Sequence, residues 1–452
     1  MEESKFSEEV IEQIKDIIPW GLSDENNLLI DKLILNDNLK TRYKTYGLCR
    51  ECYQPNTSCD TSDFGYVYWC QSCNATRFEQ DFKNWTSGDH HVDELVQKSQ
   101  LKAKNYKEVI EWYNYQFEDV KTLIKDKSGI TYTASWYGDL CMLEWDYVRN
   151  SWKRYNPGRV ILRYLHDEPD NPVEFLKKVE SRIAMNGSPN SARLYGITKD
   201  PKTGNFMMVM ELKHIINFRD CVKNSNNNDR LKLLRDIARG LKDIHNNGLI
   251  HRNFHCGSLS IELDHAFYIV SITDLGSSQP ANPKSIQDDQ VQVYGVLPYV
   301  APEILVGNEH TQAADIYGFG MIAYEIMTKL PPYHDVAHDE SLASRICQGL
   351  RPSFNCKVPP LILDIIQRCW DADPSNRPNA NELYSLLYKF GFDAFFVQSS
   401  LAYRQVLEAY KINSSSFTGF KDIKLHPQAV YTSKLLTFKD LPNPQNADVD
   451  QI

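Results

Sequence analysis

The sequence predicts an α+β fold of two lobes, a β-rich small lobe and an α-helical large lobe, preceded by a small metal-stapled module and short helices. Three observations carry this. Segments rich in aromatic and β-branched residues, ITYTASW, RVILRYL and FMMVMEL, lie together in the first half of the chain and read as strands. From DRLKLLRDIARGLKDIH to about Phe392 helical patterns dominate, with Leu231, Leu234, Ile237, Leu241 and Ile244 on one stripe, and strands followed by helices imply segregated layers. Ahead of both, five of the eleven cysteines crowd between Cys49 and Cys73.

The elements follow in order. KFSEEVIEQIKDIIPWG places Val10, Ile11, Ile14, Ile17 and Ile18 at helical spacing until Pro19 and Gly21 stop it, and LLIDKLILNDNL repeats the apolar pattern. Residues 1–45 are therefore expected as short helices. Residues 46–88 turn to Cys, Asn, Ser, Thr and aromatics, the texture of a unit with little core of its own. Residues 89–115, including polar LVQKSQLKAKNYKEV, read as a linker, with the main boundary near Glu111. The large domain spans 116–392. Residues 393–452, with SSSFTGFK and KDLPNPQNADVDQI, read as a partly disordered tail.

Length and composition exclude several classes. A chain of 452 residues exceeds what one core usually supports, and 42% hydrophobic with 24% charged residues marks it as globular. The net charge of −9 argues against a general polyanion surface, so nucleic acid is not the expected partner. MEESKFSEEV lacks the organisation of a secretory signal and no stretch approaches ~18 consecutive apolar residues. A soluble, intracellular, cytoplasmic protein without a membrane role is expected, and its cysteines are thiols or metal ligands rather than disulfides.

Cys49 and Cys52 form one C-x-x-C pair, Cys70 and Cys73 another, with seventeen residues between. Two residues between thiolates let a turn aim both sulfurs at one ion, and the longer segment folds back to bring the second pair. The expectation is a zinc ribbon with a closed, structural four-thiolate shell. Reduced structural cysteines or a redox pair are the competing readings, and Cys59 is spare.

GLIHRNFHCGSLSIE (Gly248–Glu262), ITDLGSS with Asp274, Leu275 and Gly276, GVLPYVAPEIL with Ala301, Pro302 and Glu303, TQAADIYGFGMIAYEIM with Asp315, and RCWDADPSNRP with Arg377 stand in a telling order. Over about Phe117 to Phe392 they resemble the protein kinase superfamily, and Arg-Cys-Trp with Asp-Pro-x-x-Arg-Pro looks most like its tyrosine-kinase-like branch. The whole layout, including HPQAVYTSKLL, resembles an expanded set of fungal kinase-like proteins. The resemblance implies that Asp315 holds the catalytic loop by its backbone, that Arg377 pairs with Glu303, and that Asp274 binds magnesium with a nucleotide.

Against that pattern, five functions are altered. Asn253 stands where kinases carry the catalytic aspartate, isosteric but no useful base, and Ser258 replaces the asparagine that helps hold a second metal. Arg163 occupies the position of the phosphate-binding lysine, with a planar fork in place of a compact ammonium. Only Gly129 survives of the glycine-rich loop, where Asp126 would crowd the phosphates. On the next helix Lys178 falls at the position of the lysine-holding glutamate, with Glu174 and Glu180 near it and the register open. Arg163, Asp274, Met210 and Glu211 are the nucleotide-site candidates. The preferred reading is a pseudokinase that binds signalling proteins as a scaffold or allosteric module. A weakly active serine/threonine kinase using ATP and magnesium, and a zinc-ribbon docking module for protein or nucleic acid, are the alternatives. Ser277, Ser278, Ser285 and Tyr294 could be phosphate acceptors with Arg252 as partner, or ordinary loop residues.

Overall fold

The computed structural model describes residues 5–62, 65–126, 129–136, 141–156, 158–164, 172–188, 190–212, 215–264, 267–273, 291–416 and 424–446. Two compact units emerge, one made of residues 1–187 and 193–212, the other of 188–192 and 213–452.

The first unit starts with α1 (Glu8–Ile14), α2 (Asp24–Leu33) and α3 (Asp37–Tyr46). The side chains of Ser7, Ser23 and Asn36 accept the first free N–H groups of these helices, the usual remedy for orphan donors at a helix start. Their apolar faces meet around Ile14, Ile30, Ile34, Leu39 and Tyr43. The Tyr43 hydroxyl donates to the carbonyls of Ile14 and Ile17 at 3.3 and 3.1 Å, and burial pushes its pKa up to about 12.

Next come β1 (Ser58–Ser62) and β2 (Gly65–Trp69), an antiparallel hairpin, then α4 (Gln71–Asp81). In the four-cysteine module expected at 46–88, the second cysteine pair opens this helix. Residues 89–115, expected as a linker, carry regular structure. They form α5 (His90–Lys102), capped by Asp89, and β3 (Glu111–Tyr113). Val92, Leu95 and Val96 are buried, and Gln100 Nε2 donates to the Ile110 carbonyl at 2.9 Å. The apolar stripe is narrow, so the polar majority of the segment hid it.

The strand layer contains β4 (Phe117–Asp126), β5 (Gly129–Trp136), a hairpin of β6 (Cys141–Asp146) and β7 (Ser151–Tyr155), β8 (Arg159–Tyr164), α6 (Pro172–Ala184), β9 (Leu194–Lys199) and β10 (Phe206–Glu211). Six strands form one sheet in the order β3-β9-β10-β8-β5-β4, antiparallel except for the β3–β9 pair. Glycine is required at 196, where a Cβ would lie 1.9 Å from the Glu111 carbonyl oxygen of the adjoining β3. Trp136, Val160, Leu162, Tyr195 and Val209 fill one face.

The β6–β7 hairpin forms its own small sheet and reaches the cysteine module. Trp152 stacks on Phe78 at 4.9 Å and on Trp69 at 5.8 Å, and the Arg77 guanidinium lies 4.5 Å over Trp145. The Trp69 indole N–H donates to the Ala103 carbonyl at 2.9 Å. Module, hairpin and the residues after α5, Ala103, Tyr106 and Val109, thus share one apolar cluster, the solution for a segment too small to bury its own aromatics.

The second unit comprises β11 (Ile215–Asn217), α7 (Phe218–Asn224), α8 (Asn227–Asn246), β12 (Leu259–Asp264), β13 (Phe267–Ile272), β14 (Val291–Gly295), α9 (Pro302–Leu305), α10 (Gln312–Thr328), α11 (Glu340–Cys347), α12 (Pro360–Cys369), α13 (Ala380–Phe396), α14 (Leu401–Ser416) and β15 (Lys434–Phe438). Strands β11, β12 and β13 form one sheet, β14 and β15 another. Asn226 and Asp229 close a capping box on α8, whose stripe from Leu231 to Ile244 is buried. Helix α10 is buried without a break from Ala314 to Thr328, which explains why its sequence is apolar all round. Within the tail expected beyond 392, the described residues 401–416 and 424–446 form a helix, a strap and a strand. Among the described residues no helix is long and apolar enough to cross a membrane.

Candidate functional site

Asp315, 2% exposed in the first turn of α10, organises the loop after α8. Its carboxylate accepts the N–H of His251 at 2.7 Å, the N–H of Arg252 at 2.9 Å and Nε2–H of His245 at 3.0 Å. Arg252 has φ of +68°, a left-handed backbone that costs a non-glycine residue about 1–3 kcal/mol and persists only where its surroundings over-determine it. The two amide bonds to Asp315 supply that determination. Fully buried His251 bonds through Nε2 to the Thr273 carbonyl at 2.9 Å, tying the loop to the residue before Asp274, which lies outside the described residues.

A second brace holds the other end. Arg377 grips Glu303 with two hydrogen bonds of 2.7 and 2.8 Å, both groups buried, and donates again to the carbonyls of Asp371 and Ala313. These are the roles that the resemblance assigned to Asp315, Glu303 and Arg377.

Asn253 follows the strained arginine. Its Nδ2 donates to the hydroxyl of Ser433 at 2.8 Å, and Ser433 donates back to Oδ1 at 3.3 Å. His255 accepts the Gly257 N–H on Nδ1, so its Nε2 carries the proton and donates to the same hydroxyl at 3.1 Å. Ser258 is buried and turns inward: its hydroxyl donates to the His255 carbonyl at 2.8 Å and accepts the His255 N–H at 3.2 Å. That side chain is committed to closing its own turn.

In the first unit, Arg163 lies on β8 opposite Thr131 and Met208, on the face away from fully buried Val160 and Leu162. Met210 is buried on β10, and the Glu211 carboxylate accepts the Arg193 N–H at 3.1 Å. Strands β4 and β5 close on the Asp126–Gly129 pair. Lys178 is half-buried while Lys177 and Glu180 are exposed; the side chain of Glu174, like those of Asp126, Ser277, Ser278 and Ser285, is outside the described residues. Tyr294 is on β14, opposite Leu435.

The sequence reading missed His255 and Ser433. It also missed the group behind the loop, where Arg219 donates to buried Glu325 at 2.6 Å and the Tyr299 hydroxyl bonds to the same carboxylate; burial drives the Tyr299 pKa well above its ordinary value. In the sequence, the Ser433 segment shows the alternation in KLLTF, whose Leu436 and Phe438 are buried, and overlaps the HPQAVYTSKLL stretch, which named no partner for Ser433.

That segment is fastened at both ends. His426 N–H donates to the His334 carbonyl at 2.8 Å, the Tyr431 hydroxyl to that of Pro332 at 3.0 Å, and the Arg219 guanidinium lies 5.0 Å over the Tyr431 ring. Farther on, Gln445 N–H donates to the Cys347 carbonyl at 2.9 Å and Ala372 N–H to Asn446 Oδ1 at 2.8 Å. His338 bonds through Nε2 to the Tyr333 carbonyl and accepts the Val430 N–H on Nδ1 at 3.1 Å. Burial holds its imidazole below the ordinary value, against the Val430 and Tyr333 carbonyls. A depressed imidazole favours the neutral folded form, so its contribution is complete above about pH 6.5 and lost as pH falls. Amide exchange at 426–431 is expected to speed up between pH 7.5 and 5.5 after correction for intrinsic rates, and His338→Gln to flatten that dependence.

The four thiols form the other site. Cys49 and Cys52 lie in a turn closed by Tyr53, at φ +54°, whose N–H donates to the Cys49 carbonyl at 3.1 Å; Cys70 is the residue before α4, and Cys73 sits in its first turn. The Cys49 and Cys73 sulfurs are 3.9 Å apart, those of Cys52 and Cys70 3.6 Å, and all four lie within 4.8 Å of one another. Tetrahedral zinc with bonds of about 2.3 Å needs sulfurs about 3.8 Å apart, so the cluster could hold zinc. Hydrogen bonds from Cys52, Cys70 and Cys73 hold the Cys49 thiol far below its usual range, and the same crowding drives Cys70 and Cys73 far above theirs. The positive end of α4 favours thiolates there. Cys59 lies on β1, outside the cluster.

The profile described as protein tyrosine and serine/threonine kinase matches residues 137–387. Dual specificity protein kinase shkE of Dictyostelium discoideum is 33% identical over 157 residues, covering 34% of this chain and 22% of that protein. A "probable LIM domain-containing serine/threonine-protein kinase" of the same organism is 27% identical over 227 residues, 49% of this chain and 22% of the relative. Serine/threonine-protein kinase STY17 of Arabidopsis thaliana is 24% identical over 157 residues, 35% and 26% of the two chains. The aligned part is thus about a quarter of the length of these curated relatives. Because the profile covers more than half of the sequence and spans the loop braced by Asp315, the chain belongs to the protein tyrosine and serine/threonine kinase family.

Proposed function

We propose that this family member is a catalytically impaired kinase, a pseudokinase, that serves signalling proteins as a scaffold or allosteric binding module. The observation that carries the reading is the polarity at Asn253. A catalytic aspartate draws the proton from an acceptor hydroxyl. Here the shorter contact runs the other way, from Nδ2 to the oxygen of Ser433. An amide has no useful basicity, and losing a general base alone removes about 10²–10⁴ of rate. The inward-facing Ser258 and the arginine at 163 support the same reading. The spacing of the four sulfurs supports a structural zinc, because four thiolates leave no position open for a reacting water. The joint layout of cysteine module, kinase domain and HPQAVYTSKLL supports kinship with the expanded fungal kinase-like proteins.

The names of the relatives favour a second reading, a weakly active serine/threonine kinase using ATP and magnesium through Asp274 and Arg163. The two are separated by titrating ATP with and without magnesium while following thermal unfolding, together with a radiolabel transfer assay. The proposal expects no metal-dependent transfer. Transfer that requires magnesium and disappears in Asp274→Ala would overturn it, whether or not nucleotide also raises the melting temperature.

A further inference from the structure

Strand β15 pairs antiparallel with β14 in a continuous register from Gly295↔Lys434 to Val291↔Phe438. β14 leads directly into the Leu297–Tyr299 turn and the Ala301-Pro302-Glu303 segment. One residue before β15, the Ser433 hydroxyl touches both Asn253 and His255. A bare cover for a sheet edge would need only the strand pairing. It would not need a hydroxyl at the one loop position where kinases receive the acceptor hydroxyl of their substrate.

A Cβ at Gly295 would lie 3.0 Å from Val300 Cγ2 and 3.6 Å from Asn253 Oδ1, so β14 passes close to the loop. The Ser433 hydroxyl reaches the same loop from the residue before the paired strand. Beyond it, Leu436 and Phe438 are buried while Leu435 is exposed. The recognised pattern is therefore a small hydroxyl residue with apolar residues three and five positions later.

We propose that the segment from His426 to Asn446 is an intramolecular stand-in for a peptide, filling the acceptor groove with Ser433 in the hydroxyl position. Displaced, it leaves a groove that takes an extended hydroxyl-bearing peptide of that pattern. This rests on membership of Asn253 in a kinase-type catalytic loop and names the partner class for the proposed binding module, but it needs no catalysis. The anchors at His334, Pro332, Cys347 and Ala372 hold the strap at both ends, so a competing peptide faces an effective local concentration on the order of millimolar.

The probe is a fluorescent peptide, AVYTSKLLTFKD, copied from Ala429 to Asp440, followed by anisotropy without nucleotide. Leu436→Asp/Phe438→Asp is expected to bind it at least about tenfold more tightly than the unaltered chain, as linkage through a lost intramolecular competitor requires. A peptide lacking both apolar residues should not bind. If the double variant does not melt cooperatively, a chain with a protease site placed between residues 417 and 423, cut after folding, replaces it and should gain the same affinity. Equal affinity for the opened and unaltered chains, or no binding to a folded opened chain, overturns the proposal. Measured phosphotransfer would overturn the impaired-catalysis reading and leave this result standing.

Discussion

Arg377→Met is expected to lower the unfolding free energy of the helical unit by about 3–5 kcal/mol, the cost of leaving one member of a buried ion pair alone. Glu303 is buried and takes both of its strong hydrogen bonds from Arg377. Methionine fills part of the volume but offers no donor, so the carboxylate stays desolvated and the carbonyls of Asp371 and Ala313 lose theirs too. The guanidinium also lies 5.3 Å over the Tyr317 ring, which adds lost contact area. Urea unfolding followed by tryptophan fluorescence measures the change, with Trp370 nearby in the core. Glu303→Leu/Arg377→Met should recover much of the loss, because no lone charge is buried. A single-variant loss below about 1 kcal/mol would show that the pair is relaxed into water, against its burial here.

Zinc removal is the other large effect. Structural zinc in isolated finger peptides contributes about 10–16 kcal/mol at neutral pH. The aromatic core of the cysteine module is the cluster it shares with the β6–β7 hairpin and with Ala103, Tyr106 and Val109. Purified chain is expected to carry one zinc per molecule, lost in Cys73→Ser or with a strong chelator. Loss should expose Trp69, 1% exposed and stacked near Trp152, and red-shift its emission. Since thiolates bind the ion, affinity should fall as pH drops. Melting of the helical unit is expected to be unchanged, because its braces lie in a separate compact unit. A Cys73→Ser chain with full zinc content and native emission would overturn the assignment.

How much of this was legible beforehand varies with the range of the interaction. The α8 stripe, the apolar run of α10 and the C-x-x-C pairs are local: spacing along the chain sets which side chains share a face or a turn. The roles of Asp315, Glu303 and Arg377 were legible through resemblance, since their partners occupy fixed motif positions. Residues 89–115 were misread because α5 buries only a few residues, and β3 is three residues long. The C-x-x-C spacing of the expected ribbon shows where the ligands converge, but not whether the second pair begins a turn or a helix.

By itself, then, the sequence determined the two-lobed α+β class, the four-thiol cluster and the exchange of aspartate for asparagine at 253, because each is written in residue type and short-range spacing. Only the tertiary structure decided that Ser258 faces its own turn, that the cysteine module shares its core with a strand hairpin, and that Ser433 meets Asn253 across 180 residues of chain. The physical reason is that a five-residue strand carries no record of its partner. Backbone donors and acceptors are the same in every strand, so the choice of β14 rests on side chains buried far away in sequence.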